Sequence, residues 1–415
     1  MQYSDFDLAV GPLSSGKYPI SVSSEAGEDT GTLSLRSGQD ALNKGLRALA
    51  SQRTTEASLR AFGSLLYEKL FPPSIHALFF ASLQAATRSE TGMRIRLQIE
   101  PPKLAALPWE YLYSPTRNDF LCALVETPLV RYVRRPVPIE SLGVGTKLSV
   151  LVVIPQGSGL DVSTERRLVS EALVDSRVPI EIRFLDGTVT MRSISDVLLE
   201  SKVNILHFVG HGAYRNGNGS LRLNSEDGGE QWVEDRAIAR LVQNTPSLKL
   251  IILNSCQGAV TSSTVGLAGT ALALVTHDIP AVLAHQYAIG DAAAVCFARE
   301  LYKALCSGEQ AGQVDSAVAH ARNRLAMEFP GERWLGAPVL YMRAKNGVIF
   351  DTTRETCDST SVEQLDAVLQ AHRHNRDLYM EQMQRLGEFA PAAIQRKYET
   401  EVSEIARLEE MTKHG

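Results

Sequence analysis

Between residues 141 and 350, short apolar runs alternate with helical stretches, and this constrains the fold more than any other feature of the chain. LSVLVVIP (148–155), VNILHFV (203–209), LKLIILNS (248–255) and PAVLAH (280–285) are close to continuously apolar. Strands buried on both faces read this way. Helical stretches lie near 164–175, 190–200, 234–244 and 266–276, and the strand-like IEIRFL spans 180–185. A polar hairpin lies around 217–233; helices near 291–306 and 311–328 precede the closing run APVLYMR. Such alternation predicts βαβ units, hence an α/β fold with a mainly parallel sheet flanked by helices.

The flanks have other rhythms. Residues 1–140 open with DFDLAV, YPISVSS and GTLSLR, broken by Gly and Ser. Helical stretches near 38–52, 55–70 and 73–88 follow, then the strand MRIRLQIE and Pro-rich loops. This predicts an N-terminal α+β half packed against the core at 141–350. Residues 351–361 (DTTRETCDSTS) read as a linker. In 362–415, Leu365, His372, Tyr379 and Leu386 recur every seven residues, and Ile394, Tyr398, Val402, Ile405 and Leu408 line a second face. That is a helical hairpin with an apolar seam. It serves either as a docking or oligomerisation module or as a tail packed on the main domain.

Composition excludes several classes. A net charge of −5 over 415 residues offers no pull towards nucleic acid, and the densest basic cluster is Arg131, Arg134 and Arg135. The five cysteines, Cys122, Cys256, Cys296, Cys306 and Cys357, are odd in number and widely spaced, with no CxxC. Neither a disulfide framework nor a structural zinc site is expected, and no metal or cofactor. The start, MQYSDFDLAV, has no signal-peptide pattern. No apolar run approaches the roughly 20 residues a membrane span needs. A cytoplasmic protein without membrane contact is expected, where a reactive thiol would survive.

Two strand ends carry the chemistry. One is His207-Phe208-Val209-Gly210-His211-Gly212-Ala213-Tyr214; the other is Leu253-Asn254-Ser255-Cys256-Gln257-Gly258-Ala259. Ligands and catalytic groups of parallel sheets gather at the carboxyl ends of strands. A cysteine nucleophile needs its thiol pKa lowered by a nearby imidazolium or backbone dipoles. Histidine supplies the proton relay. Gly212 lets a backbone N–H approach an acyl oxygen, and with the Cys256 N–H it would form an oxyanion hole. Both side chains are expected at solvent-facing strand ends. His207, flanked by apolar residues, suits a structural, hydrogen-bonded role, and Trp109 and Glu110 suit bracing of the sheet. Gly11-Pro12-Leu13-Ser14-Ser15-Gly16-Lys17 satisfies GxxxxGK, but Tyr18 and Pro19 follow where a P-loop needs Ser or Thr and a helix.

Cys256-Gln257-Gly258 fits the end of the caspase pattern Q-A-C-[RQG]-G, and His211 lies 45 positions upstream, near the spacing of about 50 in caspases. Asn254-Ser255 replace Gln-Ala, so the chain is not a true caspase. The wider pattern resembles the CHAT proteases, the bacterial branch of the caspase–separase group. The resemblance rests also on Leu107-Pro108-Trp109-Glu110-Tyr111-Leu112-Tyr113 and on Trp334-Leu335-Gly336-Ala337-Pro338-Val339-Leu340, and it covers roughly residues 95–345. It implies a caspase-like fold, His211 as general base and acid, Cys256 as nucleophile and peptide hydrolysis through an acyl-enzyme. It further implies a latent role in bacterial defence or regulated cell death. The expected partners are a protein substrate and an activating protein, or self-association through the C-terminal helices. A catalytically silent scaffold for protein–protein interaction and a different thiol acyl-transfer enzyme are the rival readings. Candidates for the substrate pocket are Asn254, Arg215 and Asp291. Asn254 stands where metacaspase-like relatives carry an Asp that helps bind a basic P1 residue. The lost charge argues for a neutral or apolar P1 first, then for a basic one if Asp291 or Asp278 lies in the pocket, and last for an acidic one held by Arg215.

Overall fold

The computed structural model describes residues 2–36, 38–134, 142–143, 148–157, 180–215, 218–254, 266–287, 289–307 and 310–351, with scattered positions at 163–170 and 373–405. Eleven strands form one sheet. In spatial order they are Ile180–Gly187, Leu148–Pro155, Ile205–Val209, Leu250–Asn254, Ala281–His285, Pro338–Met342, Leu129–Tyr132, Gly92–Ile99, Tyr3–Val10, Tyr18–Ser24 and Gly27–Leu33. Neighbours are parallel except at three places: Ala281–His285 against Pro338–Met342, and the two N-terminal pairs Tyr3–Val10 with Tyr18–Ser24 and Tyr18–Ser24 with Gly27–Leu33. The α/β class and the mainly parallel sheet flanked by helices follow as expected from the apolar alternation.

One apolar core runs along one face of the whole sheet. It joins Phe6, Leu8 and Ile95 of the N-terminal strands to Ile252 and Leu283, under Phe297 and Leu301 of the helix Asp291–Cys306. A second core lies on the opposite face, between Leu253, Val282 and the helices Met191–Glu200, Asp235–Gln243 and Gly266–Thr276. Local signals set the helix starts. Thr55 and Ser58 make a capping box at Glu56–Leu70, and Thr190 and Ser193 make another at Met191–Glu200.

Leu129–Tyr132 corrects the expectation of loops before residue 140. This four-residue strand pairs in parallel with Gly92–Ile99 on one side and Pro338–Met342 on the other. It therefore joins the N-terminal strands to the rest in one continuous sheet. Arg131, within it, is buried rather than basic surface. Its guanidinium bonds both Glu110 oxygens at 2.8 Å and the carbonyls of Ala105 and Leu107. The GxxxxGK segment turns between two antiparallel strands and leads into no helix.

The chain divides into two compact units, Met1–Glu355 and Thr356–Gly415. In the second, described positions such as Tyr379, Tyr398, Val402 and Ile405 are helical. Leu365, His372, Leu386, Ile394 and Leu408 lie outside the described residues. No helix among the described residues is long and apolar enough to cross a membrane.

Candidate active site

Three adjacent parallel strands, Ile205–Val209, Leu250–Asn254 and Ala281–His285, end side by side. In the first pair Val209 lies opposite Asn254. The two chains are tied one step further, where Gly210 N–H donates to the Asn254 carbonyl at 3.1 Å. His211 stands two residues beyond Val209, and Cys256 two residues beyond Asn254. Cys256 itself lies outside the described residues, with the rest of 255–265.

His211 departs from expectation: it is 7% exposed, a buried group rather than a solvent-facing one. The reason is the chain that follows. Gly212–Arg215, Asn218–Asn224 and Glu230–Glu234 form a separate antiparallel sheet that folds back, and Arg222 N–H donates to the His211 carbonyl at 2.9 Å. That bond makes 211 and 222 the hydrogen-bonded pair of the ladder. By alternation the Gly212 N–H then turns to the other side, away from the Asn218–Asn224 strand. The small sheet is pressed against the helix Gly266–Thr276. A Cβ at Gly219 would meet the Thr270 backbone N at 2.5 Å, so only glycine fits. The chain after His211 is thus packed on the helix Gly266–Thr276.

Asn254 is buried, and its Oδ1 accepts a hydrogen bond from His285 Nδ1 at 2.9 Å. His285 ends the third strand. Burial pushes its pKa down to about 3, with nearby His207 adding to the effect. His207 has the structural place expected of it: it is buried, its Nδ1 lies 3.1 Å from the Tyr302 hydroxyl, and burial lowers its pKa to about 4.

The remaining candidates spread out. Arg215 closes the Gly212–Arg215 strand opposite Asn218. Asp291 is exposed in the first turn of Asp291–Cys306, where its charge suits the helix dipole. It follows the Ala281–His285 strand and so leaves the sheet at the same edge as His211. Asp278 precedes that strand and pairs with Arg343, at the opposite edge. Trp109 and Glu110 brace the sheet, as expected. Trp109 Nε1 donates to Leu104 O at 2.8 Å, and Glu110 takes Gln286 Nε2 at 3.1 Å besides Arg131. Burial would raise the Glu110 carboxyl, but the Arg131 guanidinium outweighs it and holds the carboxyl below its usual range.

Sequence reasoning missed His285 and Arg222. Both needed register: His285 ends an apolar run, and Arg222 sits in a polar hairpin. A cavity of about 450 Å³ between the helices Gln39–Ala50 and Glu56–Leu70 contains none of these residues. No cluster of metal-ligating side chains occurs among the described residues.

Residues 60–333 match the CHAT domain family. Two structures of the Saccharomyces cerevisiae separase–securin complex, at 2.6 and 3.0 Å, contain a chain similar in fold, with identities of 13% and 10% and TM-scores of 0.47 and 0.48. Each match covers 82% of this chain and 30% of the other, so the chain spans under a third of that protein's length. No curated protein matches the sequence.

Proposed function

We propose that this chain, which belongs to the CHAT domain family, is a caspase-like cysteine endopeptidase with His211 and Cys256 as its dyad. The observation that carries the reading is the pairing of Val209 with Asn254 in parallel register. His211 and Cys256 each follow that pair by two residues in the sequence, and parallel sheets hold their sites at such strand ends, which supports the reading. His211 takes the Cys256 proton, and the thiolate attacks the carbonyl carbon of the scissile peptide. The N–H groups of Gly212 and Cys256 receive the oxyanion. His211 then returns the proton to the leaving amine, and water hydrolyses the acyl-enzyme. The orientation of the Gly212 N–H, away from the Asn218–Asn224 strand, supports its part.

Asn254 brings a neutral amide to the strand end, with its Oδ1 taken by His285. This favours a neutral or apolar P1 residue, with Arg215 and Asp291 as further pocket candidates. A constantly active protease would damage its own cell, so the enzyme is held latent. Residues 362–415 receive the activating protein or a second copy, and the pathway is bacterial defence or regulated cell death. The test is labelling by a thiol-reactive peptide probe. Triggered wild-type protein is expected to label at Cys256 and cleave peptides, and triggered Cys256→Ala to do neither. Equal proteolysis by Cys256→Ala would overturn the dyad. Absence of labelling in the triggered wild type would favour a silent scaffold.

A further inference from the structure

We infer that His285 is a positioning residue for the nucleophile, acting through Asn254; the inference rests on the dyad reading above. Asn254 is the last residue of the strand that leads to Cys256, and it is held from two sides. Its main-chain carbonyl takes the Gly210 N–H at 3.1 Å, which ties it to the His211 strand. Its side-chain Oδ1 takes His285 Nδ1 at 2.9 Å, which ties it to the strand on the other flank. Three strand ends are thereby pinned at one level, one residue short of His211 and two short of Cys256.

The chemistry of the pair makes the contact directional. An amide oxygen only accepts, so His285 carries its proton on Nδ1. The ring is neutral because burial disfavours its charged form. Its Nε2 is then a lone-pair acceptor, buried and without a hydrogen-bond partner among the described residues. Burying an unsatisfied ring nitrogen is costly, and a leucine would fill the place without that cost. What histidine brings here is the Nδ1–H. Phe297 packs on the ring at 5.6 Å and 71°, which limits its rotation. The donor is thus fixed on a strand and the acceptor fixed on its neighbour. A site supported in this way keeps its geometry, and a misplacement of about 1 Å costs up to about 100-fold in rate.

The experiment compares wild type, His285→Leu, His285→Asn and His211→Ala. An asparagine amide reaches the place of Nδ1 and restores the donor. Three readouts are taken on the full chain: peptide kcat and KM in the triggered state, the rate of iodoacetamide alkylation at Cys256 against pH by peptide mass spectrometry, and the thermal midpoint. His285→Leu is expected to lower kcat about 10- to 100-fold with KM within about twofold. It should also slow alkylation near pH 6.5 by about tenfold, as the thiolate loses the imidazole. His285→Asn should recover most of both. Wild-type kcat and alkylation in His285→Leu would overturn the inference. So would a His285→Asn protein that melts like wild type yet reacts like His285→Leu. Should His285→Leu melt far lower, Asn254→Ala replaces it, removing the same bond from the acceptor side with the same expected loss. If wild type and His211→Ala alkylate with one pH profile, the dyad reading itself falls, and the role of His285 with it. Slowed alkylation in both His211→Ala and His285→Leu, recovered in His285→Asn, sustains both.

Discussion

The two halves of the sheet differ in strand direction and in what covers them. Every residue of Ile205–Val209, Leu250–Asn254 and Ala281–His285 is buried. In Tyr3–Val10, Tyr18–Ser24 and Gly27–Leu33, by contrast, the more deeply buried positions alternate with half-buried or exposed ones. Helices cover both faces in the first region. In the second, the face of Tyr3–Val10 away from the apolar core carries Asp5 and Asp7, and Asp5 pairs with the buried Arg94 and Arg96 of the neighbouring Gly92–Ile99 at 2.9 and 3.0 Å. A strand covered on both faces can offer chemistry only at its end. A strand open on one face stays polar along its length. The difference explains why His211, Asn254 and His285 crowd one edge of one half, while the other half is ordered by ion pairs.

Substitutions probe this contrast, and the largest effect is expected at the strand ends. His211→Ala and Cys256→Ala should each cut proteolysis by about 10⁴-fold, and the double variant no further, because the pair acts as a unit. Additive losses in the double variant would break the unit. The next effect lies at the seam between halves. Glu110→Ala leaves Arg131 buried and unpaired, which should cost about 3–5 kcal/mol in denaturant unfolding. A cost near zero would show the two halves to be loosely joined.

Acid should reach the covered half first. His207 and His285 have folded pKa values of about 4 and about 3, below the unfolded value near 6.5. Between those limits the unfolded chain binds more protons, so stability is full above about pH 6.5 and falls as pH drops towards 4. At pH 5 the loss should reach about 2 kcal/mol per histidine. His285→Asn should remove its share, and an unchanged acid slope would deny that this ring is buried neutral. The smallest effect belongs to the open face. Ser21→Ala should move stability by no more than about 0.5 kcal/mol. Ile251→Ala and Ile252→Ala, neighbours on opposite faces of a doubly covered strand, should each cost about 2–5 kcal/mol. A silent Ile251 would mean that one cover is missing.

Much of this architecture was legible because doubly buried strands and amphipathic helices have strong periods. The helical stretch read near 73–88 spans Pro73–Arg88, and that at 266–276 spans Gly266–Thr276. Leu129–Tyr132 was not legible. It is four residues long, includes Arg131 and is bounded by Pro128 and Pro136, so it reads as loop. Only partners far along the chain make it a strand. The motif residues His211 and Gly212 stood out by their glycine setting. His285 did not, because its meaning lies in the side chain it meets across a strand register. The burial of His211 was likewise hidden, since it depends on the return of the hairpin at Arg222.

Leu129–Tyr132 also sets a timetable. Its second neighbour, Pro338–Met342, is made roughly 200 residues later, which at 5–20 residues per second leaves a wait of about 10–40 s during synthesis. Throughout that interval the nascent chain shows a raw sheet margin on Leu129–Tyr132, joined in its last part by a second on Ala281–His285, each able to recruit a stray strand. A single late segment closes both. Release of the finished chain from the ribosome, and shelter by chaperones until then, therefore bear on its yield as much as any contact in the completed fold.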